Sequence, residues 1–310
     1  RVGAVVVATD LVEETQVSFS AKDGYNLVGT LFETSEPSSS VCVFVPGVGI
    51  PARRYSRFLR AIAAAGLPVF AADPRGIGRS RQCGLRGLEV SIEDWAEWDY
   101  GAAIDWVKDR YPDRALVGIS HSFGSMLLAA TAEGRNIRRI AMIAPHTGYW
   151  GDYSPAWRLP MLFLWHAVMP AVTAVWGYFP GSKMRLGEDL PRGIAMQWAG
   201  RLRGTFRPAG SVADRSRSYD LLSNCDSVTG DVLLVQLAGD LFATPSGIAR
   251  VSALMPRANK SIWSVGGGTP RLGHFGFFGA QAAQHWPGLL ARLLQIGSEP
   301  TLSRAAMDEV

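Results

Sequence analysis

Cysteine is scarce in this chain: Cys42, Cys83 and Cys225 are its only three, an odd number, far apart and without the spacing of a metal site. A disulfide framework and a thiolate-bound metal are excluded as organising features, and the expected setting is a reducing, cytoplasmic one. Histidine is almost as rare, five in 310 residues, so proton-transfer chemistry has few candidates. Charge of neither sign dominates. Lys and Arg number 31 against 27 Asp and Glu, a net +4 with a pI near 9.1. The one dense basic run, Arg53, Arg54, Arg57 and Arg60, has the spacing of a solvated helix face, which argues against a nucleic-acid partner. Val5 to Ala8 is too short for a signal-peptide core. Asn259-Lys260-Ser261 fits a glycosylation acceptor, which has meaning only in a secreted protein.

What is present is a large apolar fraction, 47%, in a chain long for one simple domain. One α/β domain with an insertion fits. Gln16 to Ser20 and Leu27 to Phe32 alternate around Asp23-Gly24 as a hairpin, and Glu36-Pro37 lies in the polar loop that follows. Apolar strands are then expected at Val41 to Val45, Leu67 to Ala72, Ala115 to Ser120, Arg139 to Ile143, Val232 to Leu237 and Lys260 to Val265. Helices are expected between them at Arg53 to Ala65, Glu93 to Lys108, Pro245 to Leu254 and Ala280 to Leu294. Fully apolar strands alternating with helices imply a mostly parallel sheet flanked by helices, with ligand sites at the carboxyl ends of the strands. The rhythm stops near Tyr149 and resumes after Asp226. Residues 1–148 and 227–310 are therefore expected to form the core, with 149–226 a helical cap inserted after the sixth strand.

Ser120-His121-Ser122-Phe123-Gly124 joins an apolar strand to an apolar helix, with small residues two positions either side of Ser122. A nucleophile on so sharp a turn needs small neighbours, because strand and helix approach each other there. Ser120, flanked by Gly118 and Ser122, is the second candidate, and a strand whose serines merely cap a helix is the alternative. A serine hydroxyl needs a histidine to take its proton and a carboxylate to orient that histidine. His274, in a glycine-rich loop after the last strand, and Asp240, after strand Val232 to Leu237, stand in the order Ser, acid, His. Asp152 is the reserve acid. His121 and His146 are expected to line the pocket, whereas His166 falls in the insertion and His285 in the final helix. Oxyanion donors are expected from the N–H groups of Phe123 and Val48, with Ile50 the fallback and a pocket-lining residue.

The stretch Gly47-Val48-Gly49-Ile50-Pro51-Ala52 also matches G-x-G-x-x-A, with Asp73 at the end of the next strand as in a dinucleotide-binding unit. That reading accounts for one glycine motif and leaves Ser122, Asp240 and His274 unexplained. No cofactor and no metal is required by the other.

On Pro46 to Phe58, Asp73 to Ser80, His121 to Gly124, Gly148-Tyr149-Trp150, Gly177 to Pro191, Gly239-Asp240 and Gly273 to Phe278, the chain resembles the α/β-hydrolase superfamily, and within it a bacterial branch of hydrolases. The resemblance spans about residues 15–295 and implies Ser122 as nucleophile, Asp240 as acid and His274 as base. Ser120 replaces the usual elbow glycine, Gly239 stands where an acidic residue often precedes the acid, and His146 near the pocket is a further departure.

Leu159 to Ser182 has no Asp, Glu, Lys or Arg. It is long enough to span a bilayer, but Pro160, Pro170, Gly177 and Pro180 are expected to interrupt it, so a cap helix or helix pair is expected and no stable membrane insertion. Trp165 and Trp176 are the aromatics expected to face a hydrophobic acyl substrate. The same stripe suits cap core or a homodimer surface. A serine hydrolase acting on a small-molecule ester or thioester is expected, with an acyltransferase using the same triad, or an idle binding protein of the same fold, as the other readings.

Overall fold

The structure is a computed structural model that describes residues 12–35, 38–201, 221–267 and 271–295. Val5 to Ala8, Glu36-Pro37, residues 202–220 of the expected cap and Gly268 to Pro270 lie outside the described residues.

Eight strands form one sheet: β1 (Glu13–Ser20), β2 (Asn26–Glu33), β3 (Ser40–Val45), β4 (Val69–Asp73), β5 (Ala115–His121), β6 (Arg139–Ile143), β7 (Asp231–Leu237) and β8 (Asn259–Val265). Their spatial order is β1-β2-β4-β3-β5-β6-β7-β8. The hairpin β1–β2 is antiparallel and joins β4 antiparallel, and every other pairing is parallel. Alternate residues of the central strands enter opposite cores. Val43, Val45, Ile140, Met142, Val232 and Leu234 pack on one face, while Phe44, Val117, Ile119, Ala141, Ile143 and Val235 pack on the other. Burial on both faces is why these strands read as unbroken apolar runs.

Helix Ser56–Ala64 buries Phe58, Leu59, Ile62 and Ala63, one stripe at helical spacing, while Arg57 and Arg60 stay exposed. The expected helix from Glu93 begins one residue earlier, at Ile92, behind a capping box in which Ser91 Oγ accepts from Asp94 N and Asp94 Oδ2 accepts from Ser91 N.

The insertion is led by one continuous helix, Pro155–Trp176, of 22 residues. The prolines do not break it, contrary to the expectation. Pro170 follows a wider π-helical turn, Leu164–Val168, and that register change accommodates a residue without an N–H. The helix ends at left-handed Gly177. Its length and apolarity would suffice to cross a bilayer, and its outer side exposes Trp157, Leu159, Phe163 and Val175. A two-strand ribbon, Tyr178–Phe179 with Leu190–Pro191, leads into helix Arg192–Ala199, which packs against the long helix. Glu188 fastens this segment to the sheet. Its N–H donates to Gly49 O (2.7 Å), and its carboxylate accepts from Gly78 N (2.7 Å) and Arg53 Nη2 (2.6 Å).

Gly118 and Gly124 permit the tight join between β5 and the helix after it, Gly124–Ala130. A Cβ on Gly124 would lie 2.1 Å from Pro46 O, and one on Gly118 would lie 2.9 Å from Leu128 Cδ2. Gly124→Ala is therefore expected to cost more than about 3 kcal/mol, seen as a fall in melting temperature of roughly 6 °C or more. A melting temperature within a degree of wild type would show that Pro46 gives way freely.

Candidate active site

Ser122 sits where β5 turns into helix Gly124–Ala130, with φ at 58°. A serine held in the left-handed region costs on the order of 1–3 kcal/mol, so the surroundings must impose it. Ser122 N donates to Ile143 O (2.9 Å), which fixes the turn against the end of β6. Ser120, the second candidate, is fully buried and donates to Ser125 Oγ (3.0 Å). It lies within the strand, where no glycine is needed.

The structure brings Ser122, His274 and Asp240 together. His274 Nε2 lies 2.9 Å from Ser122 Oγ, and its Nδ1 lies 2.7 Å from Asp240 Oδ2. A carboxylate only accepts, so the ring hydrogen is on Nδ1 and Nε2 is the bare acceptor for the serine proton. Asp240 Oδ1 accepts from Phe242 N (2.8 Å) and Ala243 N (3.0 Å). Burial alone would push the Asp240 carboxyl up, but the His274 bond and the two backbone N–H groups together hold it below the usual carboxylate range. Asp152, the reserve acid, pairs with Arg250 instead, at 2.5 and 3.1 Å, and so is spent on a surface arginine.

Two further histidines stand here in roles that sequence spacing did not show. His146, expected only to line the pocket, reaches Ser122 itself: Nε2 lies 2.9 Å from Ser122 Oγ, and Nδ1 accepts the Gly148 N–H at 2.8 Å. His121 is wholly enclosed, which corrects its expected role as a substrate contact. Its Nε2–H donates to the His274 backbone carbonyl (3.0 Å), leaving Nδ1 to accept from Tyr55 Oη (2.8 Å). Tyr55 Oη in turn accepts from Gly47 N (3.1 Å). A row of hydrogen bonds thus ties the loop after β3 to the loop carrying His274. Tyr55 had no sequence signal, lying three residues past the glycine motif, where a short 3-10 turn leads into helix Ser56–Ala64.

Gly47 lies against Ser122, since a Cβ there would come 3.4 Å from Ser122 Cβ. Val48 and Ile50 are half-buried in that same loop, and Phe123 directly follows Ser122 with its ring fully buried. Trp165 packs edge-on to Trp198 (5.9 Å between centroids), which packs on Phe123 (5.2 Å), so it stands one ring behind the elbow. Trp176 lies at the surface, 36% exposed beneath Lys183 Nζ, a position that does not carry the pocket-lining role expected of it. A surface hollow of about 320 Å³, lined by Arg135, Arg138 and Asp231 among others, opens where β6 and β7 begin, the end of the sheet away from Ser122.

The dinucleotide reading fails on Asp73. Its Oδ1 accepts from Ala52 N (2.7 Å) and its Oδ2 from Arg79 N (2.9 Å), leaving a 4%-exposed carboxylate with nothing to offer a ribose.

Burial, with the His274 ring close by, lowers His146 to a pKa of about 3, and burial holds His121 well below the ordinary histidine range. Below about pH 6.5 the unfolded chain therefore binds protons at these rings that the folded chain refuses, down to about pH 3 for His146. The stability they contribute is complete above about pH 6.5 and is lost as pH falls, by up to about 1.4 kcal/mol per unit for each ring. Urea unfolding from pH 7.5 to 4.5 should show His146→Phe losing stability less steeply than wild type, by about one proton. Equal slopes would mean that His146 is charged in the fold.

Residues 36–200, more than half of the chain, match the model of the serine aminopeptidase family S33. Among solved structures, an esterase of Pyrococcus furiosus superposes with a TM-score of 0.57 at 15% identity, covering 96% of each chain. A hydrolase from Penicillium gives 0.55 at 20%, covering 91% of this chain and 99% of its own. A lipase in its open form gives 0.57 at 16%, covering 93% of this chain and all of its own. At such identities the likeness speaks for the fold alone, and the fold is the α/β-hydrolase fold. With the family model, it establishes that the chain belongs to the serine aminopeptidase S33 family of α/β hydrolases.

Proposed function

We propose that the protein is a serine hydrolase that cleaves an ester, thioester or related acyl bond of a hydrophobic substrate through an acyl-enzyme on Ser122. The observation that carries this is the relay from Ser122 Oγ to His274 to Asp240, at 2.9 and 2.7 Å, on a strained elbow. As Oγ bonds to the acyl carbon, its proton passes to His274 Nε2, and Asp240 stabilises the imidazolium formed. The carbonyl electron pair moves onto oxygen, for which the N–H groups of Phe123 and Val48 are the proposed donors. Collapse breaks the bond to the leaving group, which takes the proton from His274. Water then repeats the sequence and frees Ser122.

The hydrophobic preference rests on the rim. Phe242 and Phe275 have ring centroids 5.2 and 5.1 Å from that of His274, Phe275 is 50% exposed there, and Leu241, which follows Asp240 in the chain, is 40% exposed. Apolar groups kept exposed next to a reacting centre suit an acyl chain that covers them. The esterase and lipase sharing the fold fit this reading.

A fluorophosphonate probe and p-nitrophenyl esters of graded length test it. Ser122→Ala should abolish labelling and lower kcat by about 10⁵-fold or more, while Ser120→Ala keeps most of both. Asp240→Asn should cost about 10³ to 10⁴, because the ring loses its correct tautomer. Labelling that survives Ser122→Ala would remove the proposal. Phe275→Ala should lower kcat/KM for long acyl chains roughly tenfold more than for acetyl, the worth of about two methylenes. Equal losses on both would mean that the rim does not read the acyl group.

A further inference from the structure

Nothing in the proposed triad mechanism requires a second histidine, yet His146 is built toward the nucleophile as carefully as His274. Ala144, just past β6, has φ at 49°, one of three non-glycine residues with positive φ among those described, and Ser122 is another. This turn, pinned by Ala144 N donating to Val235 O (2.9 Å), together with Pro145, directs the chain so that His146 points back at Ser122. The ring is 5% exposed, flanked by Phe242 and Tyr153.

Its protonation pattern follows from its partners. Nδ1 faces the Gly148 N–H at 2.8 Å and must be an acceptor, so the single hydrogen of the neutral ring is on Nε2, directed at Ser122 Oγ at 2.9 Å. The ring cannot replace His274 as base. Its Nε2 is already protonated, and taking a second proton would put a hydrogen on Nδ1 against the Gly148 N–H inside a buried site. Burial, which pulls the ring well below the ordinary range, agrees.

We propose that His146 is a second catalytic histidine, a fixed donor to Ser122 Oγ that keeps its proton throughout turnover and sets the direction of proton transfer. This rests on Ser122 being the nucleophile. With one Oγ lone pair held by His146 N–H, the serine hydrogen has only His274 Nε2 to point at, so the resting hydroxyl is already aimed at the base. During attack the Oγ proton goes to His274, the other lone pair forms the bond to the acyl carbon, and the bond from His146 strengthens as charge gathers on oxygen. When the acyl-enzyme breaks, the C–Oγ electron pair returns to Oγ beside the same donor, and His274 gives the proton back.

The test uses the full chain with His146→Phe, which removes the donor at similar volume, and His146→Gln, whose amide N–H reaches near the position of Nε2. The rate of phosphonylation by a fluorophosphonate is read, because it reports the nucleophile in one step. A folded His146→Phe is expected to label about a hundredfold to a thousandfold more slowly, as for loss of one donor to a developing charge, and His146→Gln to recover most of that loss. Histidine ¹⁵N shifts of the unsubstituted protein at pH 7 should show Nε2 protonated and Nδ1 bare, a reading that survives if the Phe variant does not fold. Wild-type labelling in a folded His146→Phe, a Gln variant as slow as the Phe variant, or a ring protonated at Nδ1 would each overturn the proposal. Failure of the parent reading looks different: the probe would not label the wild type, or would label Ser122→Ala equally well.

Discussion

A left-handed backbone at a residue that is not glycine is the constraint from which the site follows. Ser122 at φ 58° is unfavourable in isolation, and it exists because β5 and the next helix are forced together on both sides of it. Gly124 lets Pro46 O approach, Gly118 admits Leu128, and Ile143 O holds the Ser122 N–H. Pro46 directly follows β3 and Ile143 ends β6, the two strands that flank β5, and Leu128 belongs to the helix that follows β5. The order β3-β5-β6 is thus what aims the serine, and the parallel pairing of those strands places the loops carrying Gly47 and His146 at its side.

The second organising fact is that this cluster of histidines is kept largely dry. A buried imidazole is costly to charge, so His146 and His121 persist as neutral rings with one donor and one acceptor each. Their partners then fix which nitrogen is which. Such fixed directions are unavailable to a solvated histidine, whose tautomers exchange freely. His274 differs in its partner, since its Nδ1–H is held by the Asp240 carboxylate rather than by a backbone group.

Much of this was legible in the sequence because it depends on local pattern. Runs such as Val41 to Val45 and Val232 to Leu237 read as strands buried on both faces, and the small residues around Ser122 favoured a tight turn over serines that merely cap a helix. The chain order of Ser122, Asp240 and His274 also survives in one dimension. What was not legible depends on contacts between distant segments. His146 and His121 look like two lone histidines until β6 is laid beside β5, and Tyr55 gains a role only when Gly47 and His121 meet across it. Pro160 and Pro170 read as interruptions because a helix can shift register without any sequence mark. Trp176 reads as a pocket residue because an apolar stripe does not announce which of its sides faces inward.

The row from Gly47 through Tyr55 and His121 to the His274 carbonyl has one further consequence. Every link is polarised the same way: amide into phenol, phenol into imidazole, imidazole into carbonyl. A line of dipoles with a common heading cannot be reversed one member at a time, because each half-turned link would set two hydrogens or two lone pairs face to face. The loop bearing the expected oxyanion donor and the loop bearing the proposed base are therefore in phase with each other by the geometry of the ground state. The work of aligning them is done when the chain folds, not each time a substrate arrives.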